Sequence, residues 1–115
     1  MSIYRLIEAG TLTVSTGPGP IKPVPVNNLQ TSNQQFHLVA TGTGTITVSA
    51  QLVGSNDGAN WVAMGDPITA TGSPAGAGIT TAQAAATGNQ PWAWFGAYVT
   101  VCTPSNTQAT LTMSA

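Results

Sequence analysis

Charged side chains are almost missing from this chain of 115 residues. Asp, Glu, Lys and Arg make up 4% of it, against about a quarter in an ordinary soluble domain. Thr, Ser, Asn, Gln and Gly must therefore face the solvent in place of ionised groups. A surface with so little charge offers little electrostatic repulsion between copies. It favours a protein that packs against neighbours in an assembly over an enzyme that needs titratable groups.

Catalytic and metal-binding side chains are equally scarce. The sequence holds one histidine, His37, and one cysteine, Cys102. The two could form a nucleophilic pair, but the alternation around His37 places it on the polar face of a strand. One histidine and one cysteine do not supply the three or four protein ligands that zinc takes. We therefore predict no enzymatic activity and no cofactor.

Other classes of partner are excluded by what the chain lacks. Two basic residues cannot form the positive surface that nucleic-acid binding needs. The apolar stretches are far shorter than the ~20 residues of a membrane helix, and residues 1–10 do not resemble a secretory signal. A single cysteine allows no internal disulfide. We expect synthesis in a reducing cytoplasm, with no nucleic-acid or membrane partner.

Apolar and polar residues alternate every second position in several stretches, which predicts strands with one buried face. In residues 45–53, Ile46, Val48, Ala50 and Leu52 share one face and Thr and Ser side chains occupy the other. Further strands are predicted at residues 11–15, 35–40, 60–64, 68–69, 79–81, 92–102 and 109–113. Residues 81–86 (TAQAAA) alone have a helix-like composition, and a helical turn there stays open as an alternative.

This pattern predicts an all-β fold, a single antiparallel β-sandwich or jelly roll formed by residues 34–115. Residues 1–33 are predicted to form an extended arm or first strand. Within them, residues 21–26 (IKPVPV) contain Pro23 and Pro25. Each proline removes a backbone N–H donor and fixes φ, so this stretch cannot be a central strand. We expect it to lie extended on the surface or on a neighbour.

The stretch from Gly54 to Trp61 (GSNDGANW) predicts a tight turn between two strands, because Asn and Asp tolerate left-handed backbone and Gly takes positive φ freely. A calcium loop is the functional alternative, since Asn56, Asp57 and Asn60 offer oxygen atoms. Calcium takes about six to eight oxygens, however, and no bidentate Glu is at hand.

This hairpin resembles the SNDG-x-NW hairpin of discoidin-like sandwiches that bind sugars or lipids, and a hairpin of small virion proteins of tailed bacteriophages. In both families the Trp, here Trp61, packs inward. The Ala/Gly/Thr-rich connection, the aromatic strand and the ending TQATLTMSA also resemble small bacteriophage virion proteins, among which capsid decoration (cement) proteins and small tail or fibre components share this composition. The resemblance implies a β-sandwich, self-association, no catalysis and a place in the virion.

Trp92 and Trp94 stand in the aromatic run PWAWFGAY, and three roles stay open for them: core, subunit interface or sugar platform. We expect a capsid decoration protein whose arm and sheet edges contact the major capsid protein or a sister copy, as a homo-oligomer with a trimer favoured. The alternatives are a carbohydrate-binding module and a small tail or fibre component. The predicted interface residues are Tyr4, Ile21, Pro23, Val24, Pro25, Trp92 and Trp94.

Overall fold

The computed structural model describes residues 3–7, 24–25, 34–74, 78–90 and 92–114. Within these residues every regular element is a β-strand. The strands are β1 (Ile3–Ile7), β2 (Val24–Pro25), β3 (Gln34–Thr43), β4 (Ile46–Ser55), β5 (Val62–Ala63), β6 (Ile68–Gly72), β7 (Ile79–Gly88), β8 (Trp94–Thr103) and β9 (Gln108–Ser114). The predicted all-β fold is confirmed.

The strands form two antiparallel sheets that pack face to face. The first sheet has the order β1-β9-β3-β7, and the second has the order β2-β8-β4-β5, with β6 also paired to β4. β8 and β9 follow each other in the sequence but do not pair with each other. β8 lies in the second sheet and β9 in the first. The predicted antiparallel sandwich is confirmed by this arrangement.

The core fills the space between the sheets with every second side chain of the central strands. Phe36 and Leu38 on β3 meet Leu111 and Met113 on β9 within the first sheet. The second sheet contributes the buried side chains Ile46, Val48, Ala50, Leu52, Phe95, Ala97 and Val99. The alternation read from residues 45–53 therefore predicts the inner face of β4 correctly. The expectation that only one face is buried is wrong for this central strand, since Ser49 and Gln51 on the other face are buried as well.

Residues 81–86 are extended and lie within β7, so the alternative of a helical turn there is wrong. Each residue of β7 pairs with β3 without a bulge, from Gln34 opposite Gly88 to Thr43 opposite Ile79. Ala has high helix propensity, but six residues are too few to form a stable helix without tertiary support. Pairing along the whole length of β3 decides the conformation instead.

Two short strands from the N-terminal third are edge strands of the described sheets. β1 pairs with β9 and buries Leu6 and Ile7 in the core. β2 pairs with β8 at the end of the second sheet, which fits a segment whose prolines cannot serve a central strand. The strand predicted at residues 11–15 lies outside the described residues.

Leu38→Ala tests the inner face of the first sheet. Leu38 is 0% exposed, so we expect the free energy of unfolding to fall by about 2–5 kcal/mol through lost burial and a residual cavity. Val101→Ala is the matched control, because Val101 is 39% exposed on β8 and should change stability by less than about 0.5 kcal/mol. Urea unfolding followed by circular dichroism measures both, and equal losses would contradict the assigned core.

Candidate interaction surfaces

The face of the first sheet that points away from the core carries almost no charge, and we call it the outer face. It consists of exposed or half-exposed residues at alternate strand positions: Ile3 and Arg5 on β1; Gln108, Thr110, Thr112 and Ser114 on β9; Gln35, His37, Val39, Thr41 and Thr43 on β3; and Ile79, Thr81, Gln83, Ala85 and Thr87 on β7. Arg5 is the one Asp, Glu, Lys or Arg residue of this set, and it stands on an edge strand.

Cross-strand neighbours on the outer face are linked by hydrogen bonds. His37 Nε2 lies 2.9 Å from Gln83 Oε1, and the hydroxyl of Thr112 donates to the carbonyl of His37 over 3.5 Å. The register places Thr112 and Ala85 on either side of His37. The result is a regular, neutral surface formed by short polar and small apolar side chains.

The turn after β4 is organised by hydrogen bonds to one carboxylate. Asp57 Oδ1 accepts from the backbone N–H groups of Ala59 and Asn60, each at 2.8 Å, and from the Ser55 hydroxyl at 2.8 Å. Asp57 Oδ2 accepts from Asn60 Nδ2 at 2.7 Å. Gly58 has φ of 74°, the left-handed conformation predicted for this turn.

These donors hold the pKa of Asp57 well below its usual range, with the backbone N–H of Asn60 as the largest cause. Both carboxylate oxygens already accept hydrogen bonds from the turn itself, so the arrangement is that of a self-contained turn. No group of three or more His, Cys, Asp or Glu side chains with metal-binding geometry occurs among the residues that the structure describes.

Trp92 and Trp94 both pack onto glycines of this hairpin. The Trp92 indole occupies the space that a Cβ at Gly54 would need, and its Nε1–H donates to Gln90 Oε1 over 2.7 Å. Trp94 covers Gly58, where a Cβ would lie 3.2 Å from Trp94 Cε2. Both tryptophans are half-buried, so each combines a packing role with an exposed part.

Trp61 does not take the inward position implied by the resemblance to discoidin-like and phage hairpins. It is half-buried, and among the described tryptophans it is Trp92 that packs against the core. Trp92 lies just before β8 and packs against the core over Gly54. The absence of a side chain at Gly54 is the sequence signal for this contact.

The predicted interface residues fall in different places. Val24 and Pro25 pair with Phe95 and Trp94 of β8, so Pro25, which is exposed, lies beside Trp94 at the end of the second sheet. Tyr4 lies on β1 in the first sheet, half-buried against the core. Ile21 and Pro23 lie outside the described residues. The structure thus brings Val24, Pro25 and Trp94 together and leaves Tyr4 on the other sheet.

His37 and Cys102 do not form a pair. His37 is exposed on the outer face of the first sheet, whereas Cys102 is a buried residue of β8 in the second sheet. The Cys102 thiol donates to the carbonyls of Pro104 and Thr107, each at 3.6 Å, and burial raises its pKa. A buried thiol with a raised pKa is a poor nucleophile.

A half-open cleft of about 440 Å³ lies where the two sheets separate between the β5–β6 region and the end of β7. It is lined by Phe36, Leu52, residues 64–69 and residues 84–90. Asp66 is its one titratable lining residue, which gives the cleft no second group for acid–base chemistry.

Comparison of the chain with protein-family models, with curated proteins and with solved structures finds no match. Within the described part of the chain there is also no helix of the length and apolar character that crossing a membrane requires.

Asp57→Asn tests the turn through its pH dependence. A carboxylate whose pKa is lowered by folding stabilises the folded state above its unfolded pKa, and that contribution is lost as pH falls through the folded pKa. We therefore expect Asp57→Asn to lower the melting temperature at pH 7. The gap to the wild type should narrow as pH falls below about 4.

Asp66→Asn is the matched control, since it removes an exposed carboxylate outside the turn. Thermal unfolding at several pH values distinguishes the two variants. An Asp57→Asn protein as stable as the Asp66→Asn protein at pH 7 would show that the hydrogen bonds to Asp57 do not hold the hairpin.

Proposed function

We propose that this chain is a non-enzymatic structural protein of a bacteriophage virion, a capsid decoration protein that binds and stabilises the phage head. The observation that carries the proposal is the outer face, which spans the four strands of the first sheet with Arg5, on an edge strand, as its one Asp, Glu, Lys or Arg residue. Burying the rest of this face against another protein removes water from polar and small side chains without stripping a carboxylate, ammonium or guanidinium group of its hydration.

The sandwich supplies a rigid body, and the edge strands of its two sheets supply the contacts. An extended backbone segment can add to a sheet edge through main-chain hydrogen bonds. Pro25 pairs with Trp94 at such an edge. Pro25 is exposed, and its fixed φ reduces the entropy lost on docking. We assign this corner, together with residues 1–33, to the contact with the major capsid protein.

Many copies on one shell would strengthen each contact. A decoration protein binds a repeating lattice, so weak contacts made by linked copies add up through their high effective concentration. The resemblance in residues 54–61 and in the strand that ends the chain supports a virion role, and a small tail or fibre component would use the same neutral surface. A homo-oligomer, with a trimer favoured, stays our prediction for the assembled form.

The test is cosedimentation with heads of the phage whose genome encodes the chain, prepared without it. The wild type should sediment with the heads. Pro25→Glu should weaken binding at least about tenfold, because an unpaired carboxylate buried in the contact costs several kcal/mol.

Pro67→Glu is the matched control, since Pro67 is exposed beside the cleft, away from β2. It should bind as the wild type does. A wild-type protein that stays in the supernatant contradicts the capsid role, and equal binding by both variants removes the Pro25 corner from the contact.

A carbohydrate-binding module is the second candidate, favoured by the amides around the tryptophans. Asn56 Oδ1 accepts from the backbone N–H of Ala93 over 3.3 Å, and the exposed Gln90 holds the Trp92 indole. Half-buried Trp94 covers Gly58 of the same turn, to which the exposed Asn60 also belongs. Sugar sites combine an aromatic platform with such amide groups, since the ring stacks and the amides form hydrogen bonds.

On this alternative, Trp94→Ala abolishes binding on a glycan array while the circular dichroism spectrum is retained. Trp94 is the informative position because Trp92 also packs against the core. Val62→Ala, at a residue 51% exposed on β5, is the control and should keep the signal. An array on which the wild-type protein binds no glycan excludes this function for the sugars displayed.

A further inference from the structure

β7 ends the first sheet, and its own residues carry none of the usual protections of an edge strand against pairing. It runs for 10 residues, Ile79–Gly88, and β3 is its one partner among the described strands. Natural proteins protect such edges with Lys or other charges, Pro, bulges or short strands. The sequence ITTAQAAATG has no charge and no Pro, and its pairing with β3 has no bulge.

The direction of the β7 backbone groups follows from one hydrogen bond. The N–H of Gly44 donates to the carbonyl of Gly78 over 2.8 Å. These two residues continue the β3–β7 register directly beyond Thr43 and Ile79. Gly44 and Gly78 are therefore a hydrogen-bonded pair, and in an antiparallel ladder such pairs alternate with non-bonded ones. The even-numbered residues of β7 thus bond to β3, and the odd-numbered residues turn their N–H and C=O groups outward.

The outward-bonding residues are the ones on the outer face, from Ile79 to Thr87 at odd positions, and all are exposed. Their side chains are small or neutral. On the inner side β6 lies close to β7, where a Cβ at Gly72 would stand 3.2 Å from Ala82 Cβ. Thr81, Gln83 and Ala85 form the middle of this row, with Gln83 at its centre. A strand that docks here must offer its own outward groups at the same spacing and must leave the outer face continuous.

A second copy of β7 meets both conditions. In an antiparallel pair centred on Gln83, Gln83 lies opposite its own copy, Thr81 lies opposite Ala85, and Ile79 lies opposite Thr87. Every pair joins two outward-bonding residues, and directly opposite side chains share one face. On the inner face Ala82 meets Ala84, so no bulky or charged side chains oppose each other.

We propose that two copies of the chain associate through β7, antiparallel about a twofold axis at Gln83, and so join their first sheets into one continuous sheet. The proposal rests on the proposed function in one respect only. That function calls for self-association, and the β7 contact supplies the partner, which is a second copy of the chain. In this dimer the outer faces of the two copies join into one continuous surface. This contact is twofold and would not by itself close a trimer.

Cysteine crosslinking tests the register in a Cys102→Ser background. Opposed residues of a hydrogen-bonded pair have Cα atoms about 5.5 Å apart, within the reach of a disulfide. Gln83→Cys should therefore form a disulfide-linked dimer under mild oxidation. Thr41→Cys is the matched control, since Thr41 is exposed on β3. It would lie about three strand spacings and four residues along the strand from its copy, roughly 20 Å in all. It should stay uncrosslinked.

Charge substitution tests the same axis without a covalent bond. Gln83→Lys places two ammonium groups opposite each other, so the dimer dissociation constant should rise at least about tenfold by sedimentation equilibrium. Thr41→Lys puts the same charge on the outer face away from the axis and should leave the dimer intact. Circular dichroism checks that both variants fold.

A wild-type chain that is monomeric at every concentration overturns the proposal, as does a dimer that both lysine variants leave intact. Crosslinking at Thr41 as fast as at Gln83 overturns it too. These outcomes are separable from the capsid role. A monomer that still sediments with heads ends this inference alone, whereas a Gln83-dependent dimer that ignores heads ends the capsid proposal alone.

Discussion

Burial of every second side chain between two sheets is the constraint on which this structure depends. Phe36, Leu38 and Leu111 from one sheet and Val48 and Phe95 from the other are fully or almost fully buried. Because strand side chains alternate strictly, fixing these residues inside also fixes their neighbours outside. The neutral outer face is thus the counterpart of the core: the same register that buries Leu38 exposes His37 and Val39.

A surface with few charges changes how the protein meets its surroundings. Threonine keeps a strand face wet through its hydroxyl and favours extended backbone through its branched side chain. It does not repel a neighbouring copy, as a lysine would. The structure therefore combines a sandwich core with an outer face of few charges. At the Asp57 turn of the other sheet, Trp92 and Trp94 pack on Gly54 and Gly58 and stay half-buried.

Local pattern was sufficient to predict much of the fold and less of the sites. The alternation in residues 45–53 predicts β4 because the order of apolar and polar residues can be read from the sequence without knowledge of distant contacts. The extended state of residues 81–86 was less clear, because it depends on pairing with β3, which is distant in sequence. The packing of Trp92 on Gly54 and the pairing of β1 with β9 depend in the same way on non-local contacts. The self-contained turn around Asp57 was predictable from its residue types, whereas the direction of the β7 backbone groups required the register.

Light scattering coupled to size exclusion, carried out from low to molar salt, tests the central claim that this neutral surface serves association. The account predicts a particle larger than one chain whose mass does not change with salt, because uncharged contacts are not screened. A single chain at every salt concentration, or an oligomer that salt dissociates, would contradict it.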